Sequence, residues 1–142
     1  MKAVEVLMVE DNRGDVVLVQ AAMEKVGLSH NVTVVSDGAE AIEFLHRRGP
    51  YAEAPRPDLI MLDLKLPRKC GREVLDDIQL DPVLREIPLV FLSSSRSELE
   101  LARSYQLPSE CYLEKPNTFQ GFVELVRAIE AFRCKAAKEK QS

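Results

Sequence analysis

The stretch Asp58-Leu59-Ile60-Met61-Leu62-Asp63 restricts this chain more than any other. Residues 59–62 are uniformly apolar and lack the alternation of a strand that shows one face to water. Such a run suits a strand buried on both faces, as in a parallel sheet covered by helices. It ends on a carboxylate, with Pro67 and Gly71 following as turn residues. In open α/β sheets, ligands are held at the C-terminal ends of the strands. A lone aspartate there usually just starts a turn. Further polar groups in equivalent places give Asp63 another meaning.

The flanking sequence repeats the pattern. Val4–Val9 reads as a first strand ending in Glu10-Asp11-Asn12. Gly14-Asp15 opens a helix with Val16, Val19, Ala22, Met23 and Val26 on one face, and Gly27 stops it. Residues 31–35 form a second strand. Ser36-Asp37-Gly38 then caps a helix with Ala41, Ile42 and Leu45 inward and Gly49-Pro50 at its end. Residues 51–57 are a Pro-rich loop, read as an exposed insertion. After the Asp63 strand the pattern predicts a helix over 72–80, a strand over 88–92 closing on Ser93-Ser94-Ser95, and a polar helix over 96–105. A brief strand over 111–113 runs into Glu114-Lys115-Pro116. The last helix, over 118–133, buries Phe122, Leu125, Val126 and Ile129, and a frayed tail begins at Lys135.

Alternating strands and helices predict an α/β fold: a doubly wound five-stranded parallel sheet in the order 2-1-3-4-5. The chain of 142 residues suffices for one domain, expected over 1–134, that buries roughly two thirds of its unfolded surface. No output domain is expected beyond it, only the tail over 135–142.

Composition narrows the function. A net charge of −4, with no basic stripe and few aromatics, argues against nucleic-acid binding. Glu5 and Glu10-Asp11 interrupt any signal-like apolar segment, and no run is long enough to span a membrane, so a cytoplasmic location is expected. Cys70, Cys111 and Cys134 lie far apart without metal-ligand spacing and read as reduced thiols.

Parallel strands would bring Glu10, Asp11, Asp63, Ser93 and Lys115 to one edge. Three carboxylates so close repel unless protonated or bound to a cation, and Mg²⁺ is the natural hard ion for them. The group that fits between such an ion, an ammonium and a hydroxyl is a phosphoryl. The first turn lacks the glycine-rich pattern of a nucleotide or flavin site.

Glu10-Asp11, Asp63 with Pro67 and Gly71, Ser93, and Lys115-Pro116 together resemble the five motifs of bacterial two-component response-regulator receiver domains, which have a CheY-like fold. The resemblance spans about residues 4–133. The finer pattern, Glu10-Asp11-Asn12-Arg13-Gly14-Asp15 with Gly38-Ala39-Glu40-Ala41-Ile42, is similar to single-domain receivers that serve bacterial and cyanobacterial phytochromes. The resemblance implies that Asp63 takes a phosphoryl group from a phosphohistidine of a sensor histidine kinase. It also implies that Asp11 and Asp63 bind Mg²⁺ directly, Glu10 through water, and Lys65 through its backbone carbonyl. Lys115 would pair with one phosphoryl oxygen and Ser93 would hydrogen-bond another. Tyr112 stands at the family's aromatic switch and would turn inward as Ser93 moves toward the phosphoryl.

Such a protein is a phosphoacceptor that assists its own phosphorylation and dephosphorylation, not an enzyme. Its signal would leave by protein contact through helix 4, strand 5 and helix 5, a face that could also join two copies. Leu99, Leu101, Leu107, Phe119 and Phe122 are the apolar residues expected there. The sequence departs from the family at Glu10, where Asp is more usual, at Ser93, where Thr is frequent, and at Cys70, where an acid is common. Two other readings stand beside this one. One is an interaction module that works unphosphorylated. The other is a small Mg²⁺ phosphohydrolase of the haloacid-dehalogenase type, which needs an acid where Lys65 stands.

Overall fold

The computed structural model describes residues 3–65 and 71–141. The turn residue Pro67 and the thiol of Cys70 lie outside the described residues. The elements follow in the order β1 (Val4–Val9), α1 (Arg13–Val26), β2 (His30–Val35), α2 (Gly38–Leu45), β3 (Leu59–Asp63), α3 (Gly71–Gln79), β4 (Leu89–Ser93), α4 (Arg96–Ala102), β5 (Tyr112–Glu114) and α5 (Phe119–Gln141). The strands pair in parallel in the expected order, β2-β1-β3-β4-β5.

The unalternating strands are explained by two cores, one on each face of the sheet. Every residue of β3 and β4 is buried. Leu7, Ile60, Leu62 and Phe91 point to one side, packing with Ile42, Val74 and Leu99 from the helices there. Met8, Met61, Val90 and Leu92 point to the other, against Val19, Met23, Phe122 and Val126 of α1 and α5. Each such buried aliphatic or aromatic side chain is worth roughly 1.5–3 kcal/mol over exposure. A strand with apolar residues on both faces has no solvated face, so the central strands have no freedom to slip toward water.

Several element ends differ from the sequence reading. Asn12, not Gly14-Asp15, caps α1, accepting a hydrogen bond from the Asp15 amide at 3.1 Å. Gly27 ends α1 as expected, at φ 83°, with the Leu28 amide donating to the Met23 carbonyl at 3.1 Å. By contrast α2 ends at Leu45, ahead of Gly49-Pro50. Arg47 takes the left-handed conformation at φ 55°, and the Arg48 amide bonds back to the Glu43 carbonyl at 2.9 Å. The helix thus closes the way a glycine normally allows, but on an arginine. Nor is the loop after it simply an exposed insertion. Gly49–Tyr51 form a 3-10 turn, Tyr51 packs edge-on against Phe44, and both Tyr51 and Ala54 lean on the core.

Later in the chain, α4 stops at Ala102 and a 3-10 turn covers Arg103–Tyr105. β5 lies one residue further on than expected. α5 continues to Gln141, so the stretch expected to fray from Lys135 is helical. Of the apolar residues expected on the exit face, Leu101 and Phe119 are exposed, Leu107 is partly buried, and Leu99 and Phe122 belong to the core. Among the described residues no helix is long and apolar enough to cross a membrane.

Candidate functional site

The sheet delivers the functional side chains by its register. Asp63 is the last residue of β3, Glu10 and Asp11 follow β1, and Lys115 follows β5. The ladder continues past the strand ends: the Glu10 amide donates to Val35 O at 2.9 Å and the Lys115 amide to Ser93 O at 2.8 Å. The backbone of each residue is therefore fixed before its side chain makes any contact. Gly121 completes the support of Lys115. A Cβ at that position would sit 2.5 Å from Pro116 Cβ, so only glycine lets α5 close on the Lys115-Pro116 turn.

Glu10, Asp11 and Asp63 each place a carboxylate oxygen within 4.8 Å of the others. Lys115 Nζ reaches into the group, 2.6 Å from Asp63 Oδ2, 2.7 Å from Glu10 Oε1 and 2.8 Å from Asp15 Oδ2. Asp63 Oδ1 accepts from the Lys65 amide at 2.7 Å, and Glu10 Oε2 accepts from the Asn12 amide at 3.2 Å. Glu10, Asp11, Asp63, Lys65, Ser93 and Lys115 line a cleft of about 250 Å³. The side chains of Glu10 and Asp63 are 1% and 6% exposed, so these charges are held away from water.

Among the described residues, negative charge outweighs positive charge at this site. Burial, then the hydrogen bond and charge of Asp63, push the Glu10 carboxyl up to about 7, against the pull of Lys115. Burial pulls the Lys115 ammonium down, but its bonds to Asp15, Asp63 and Glu10 outweigh that and hold it above the ordinary lysine range. Counting Asp15, four carboxylates face one ammonium among the described residues. Glu10 Oε1 is paired with Lys115 by charge but, among the described residues, accepts no well-aligned hydrogen bond, although it is fully buried. Hard oxygen donors grouped this closely fit a divalent cation.

Ser93 is buried at the end of β4. Its hydroxyl donates to Glu98 Oε1 at 2.6 Å and accepts from the Ser95 amide at 3.0 Å. Tyr112 is already turned inward while Ser93 is held by Glu98, so the expected order, with Tyr112 turning inward as Ser93 moves, does not describe this state. The Tyr112 ring stacks on Phe91 with centroids 5.9 Å apart, and its hydroxyl accepts from the Leu107 amide at 3.0 Å. The Arg103 guanidinium lies 5.6 Å from the Tyr112 ring centre.

Glu10, Asp11, Asp63, Lys65, Ser93 and Lys115 therefore share one edge, whereas Tyr112 stands at the start of β5 opposite Phe91 and does not line the cleft. Two partners escape the sequence reading. Asp15 was read only as a helix opener. Its place in the first turn of α1, above the Glu10-Asp11 turn, is a signal that could have found it. Glu98 follows Ser95 in a capping-box pattern, which suggests a purely local role. Ser95 does cap α4 through the Glu98 amide at 3.3 Å, but the Glu98 carboxylate reaches Ser93 instead.

A doubly wound parallel sheet with a carboxylate triad, a buried lysine and a strand-end hydroxyl at one edge defines the receiver class. The family model for the response regulator receiver domain matches residues 6–127, and the chain belongs to that family. The response regulator Rcp1 of Synechocystis sp. is 41% identical over 127 residues, 89% of this chain and 86% of that one. The phosphorylated cyanobacterial phytochrome response regulator RcpA is 43% identical in its crystal structure, with a TM-score of 0.82 over 94% of this chain and 95% of that chain. The Mn²⁺-bound form of Rcp1 is 41% identical, with a TM-score of 0.78 over 90% and 92% of the two chains. The chain is thus a receiver homologous to phytochrome-associated response regulators, a signalling phosphoacceptor by family. Neither the phosphohydrolase nor the phosphorylation-independent module is favoured by these likenesses.

Proposed function

We propose that Asp63 is the residue that accepts the phosphoryl group, in a Mg²⁺-dependent reaction with a phosphohistidine of a sensor histidine kinase. One observation carries the reading: Asp63 is buried at the strand edge, grouped with the carboxylates of Glu10 and Asp11 and with an ammonium 2.6 Å away. In the transfer an Asp63 carboxylate oxygen forms the new P–O bond as the P–N bond of the donor breaks, and the imidazole leaves with its electron pair. Glu10, Asp11, Asp63 and the Lys65 carbonyl would hold the cation. Bound there, Mg²⁺ would neutralise charge on the phosphoryl oxygens.

This chain's own groups do the rest. Lys115 offers an ammonium to a phosphoryl oxygen. Ser93 exchanges its bond to Glu98 for a bond to another, and Tyr112, packed on Phe91, follows the β4–α4 movement. The domain is residues 1–134, and it passes its signal by protein contact across α4, β5 and α5, where Leu101 and Phe119 are exposed. A second copy docking on that face would give a homodimer. The likeness to phytochrome response regulators supports a bacterial phytochrome as the kinase, and the cytoplasm as the place of work. The domain assists gain and loss of its own phosphoryl group and turns over no other substrate.

Intact-mass measurement after incubation with acetyl phosphate tests the proposal. One Mg²⁺-dependent phosphoryl adduct that is absent from Asp63→Asn is expected. No adduct despite measurable Mg²⁺ binding would refute it, as would continuous phosphate release without an adduct.

A further inference from the structure

Lys115 has three ammonium hydrogens and, among the described residues, three carboxylate partners, but those partners differ in kind. Glu10 and Asp63 belong to the group whose oxygens converge within 4.8 Å, and Asp15 does not. Asp15 approaches from α1, a different element, and is a hundred residues from Lys115 in sequence. Its side chain is 22% exposed, so it keeps a path to water that Glu10 lacks.

These differences matter when a divalent cation enters. The negative charge of Glu10 and Asp63 cannot serve both the cation and Lys115 at full strength, and two cations near one another repel. A buried ammonium that lost every partner would be strongly destabilised. We propose that Asp15 is a positioning residue that keeps Lys115 anchored when the cation takes Glu10 and Asp63. The inference rests on the phosphoacceptor reading, because it concerns the metal-bound pocket.

Two consequences follow. Asp15 makes metal binding easier, since it accepts the lysine that the metal displaces. It also holds the ammonium beside Asp63, where an incoming phosphoryl oxygen can meet it. Without Asp15, Lys115 clings to the metal's own ligands and competes with the cation.

The test is a double-mutant cycle read by Mg²⁺ affinity in calorimetry, on the full chain, with Asp15→Asn, Lys115→Met and both together. Asp15→Asn is expected to weaken Mg²⁺ binding about three- to tenfold when Lys115 is present and less than about twofold when it is Met. An equal factor in both backgrounds would make Asp15 a mere background charge and overturn the inference, as would no change in the first. In the unsubstituted chain, saturating Mg²⁺ should preserve nuclear Overhauser contacts between the Lys115 ε-methylene and Asp15 while those to Glu10 weaken. Parallel loss of both contacts would overturn the inference without recourse to any variant. Absence of Mg²⁺ binding by the unsubstituted chain would instead refute the phosphoacceptor reading, and the inference with it.

Discussion

Replacing Lys115 with Met should destabilise the metal-free protein, and the loss should depend on pH in a defined direction. At 2.6 to 2.8 Å and an effective dielectric of about 20, each pair attracts by about 6 kcal/mol. That figure is not the net effect, because burying a charge itself costs several kcal/mol per ion. Removing one partner of such a buried group typically costs about 3–5 kcal/mol, since the remaining charges lose compensation but stay buried. For a domain of this size each kcal/mol corresponds to about 3 °C, so a fall in Tm of roughly 10–15 °C is expected.

Glu10 sets the pH dependence. Its folded value of about 7 lies above the ordinary 4.5, so the native state binds more protons than the unfolded one between those pH values. Stability of the parent chain therefore falls as pH rises through that window and levels off above it. Lys115 is the opposite kind of group. Its folded value is raised, so its contribution is fully present below the ordinary lysine value of 10.5 and is lost only in more alkaline solution. Lys115→Met removes the hydrogen bond and the charge that lower Glu10, which lifts the carboxyl further and extends the decline past pH 7. The variant's deficit should thus be larger at pH 8 than at pH 6. Mg²⁺ at a hundred times Kd should add about 2.7 kcal/mol to parent and variant alike, so the deficit narrows only as far as the variant binds Mg²⁺ more tightly. Urea melts at the two pH values, with and without Mg²⁺, provide the assay. Equal deficits at both, or a variant more stable than its parent, would refute the argument.

Other outcomes can be checked with the same material. Glu98→Ala frees the Ser93 hydroxyl from a charge-assisted bond of 2.6 Å, and phosphorylation by acetyl phosphate should accelerate about three- to tenfold, from roughly 1 kcal/mol of released restraint. An unchanged or slower rate in stopped mass measurements would show that Glu98 does not restrain Ser93. Gly121→Ala puts a Cβ 2.5 Å from Pro116, so the Lys115-Pro116 turn must move. A loss of about 1–3 kcal/mol in denaturant melts is expected, together with weaker phosphorylation. A stable, fully phosphorylated variant would show that the turn can give way freely.

The fold was legible because its signals are local. A run such as residues 59–62 can only be a doubly buried strand in this context, and the strand order follows from parallel connections. Element ends were less legible where chemistry broke its usual rule. Arg47 closes α2 in the left-handed conformation that glycine normally takes, and the helical tail past Arg133 carries no stop signal to contradict or announce it.

By itself the sequence determined which residues meet at the sheet edge, because a parallel sheet sends every strand end to the same side. Glu10, Asp11, Asp63, Ser93 and Lys115 could be placed there from order alone. Only the tertiary structure decided which atoms bond. Lys115 reaches Asp15 across a hundred positions and Asp63 across fifty-two, and the Ser93 hydroxyl donates to Glu98. The reason is physical: hydrophobic periodicity fixes where a backbone runs, whereas a long charged side chain chooses among several partners by small differences in burial, distance and charge.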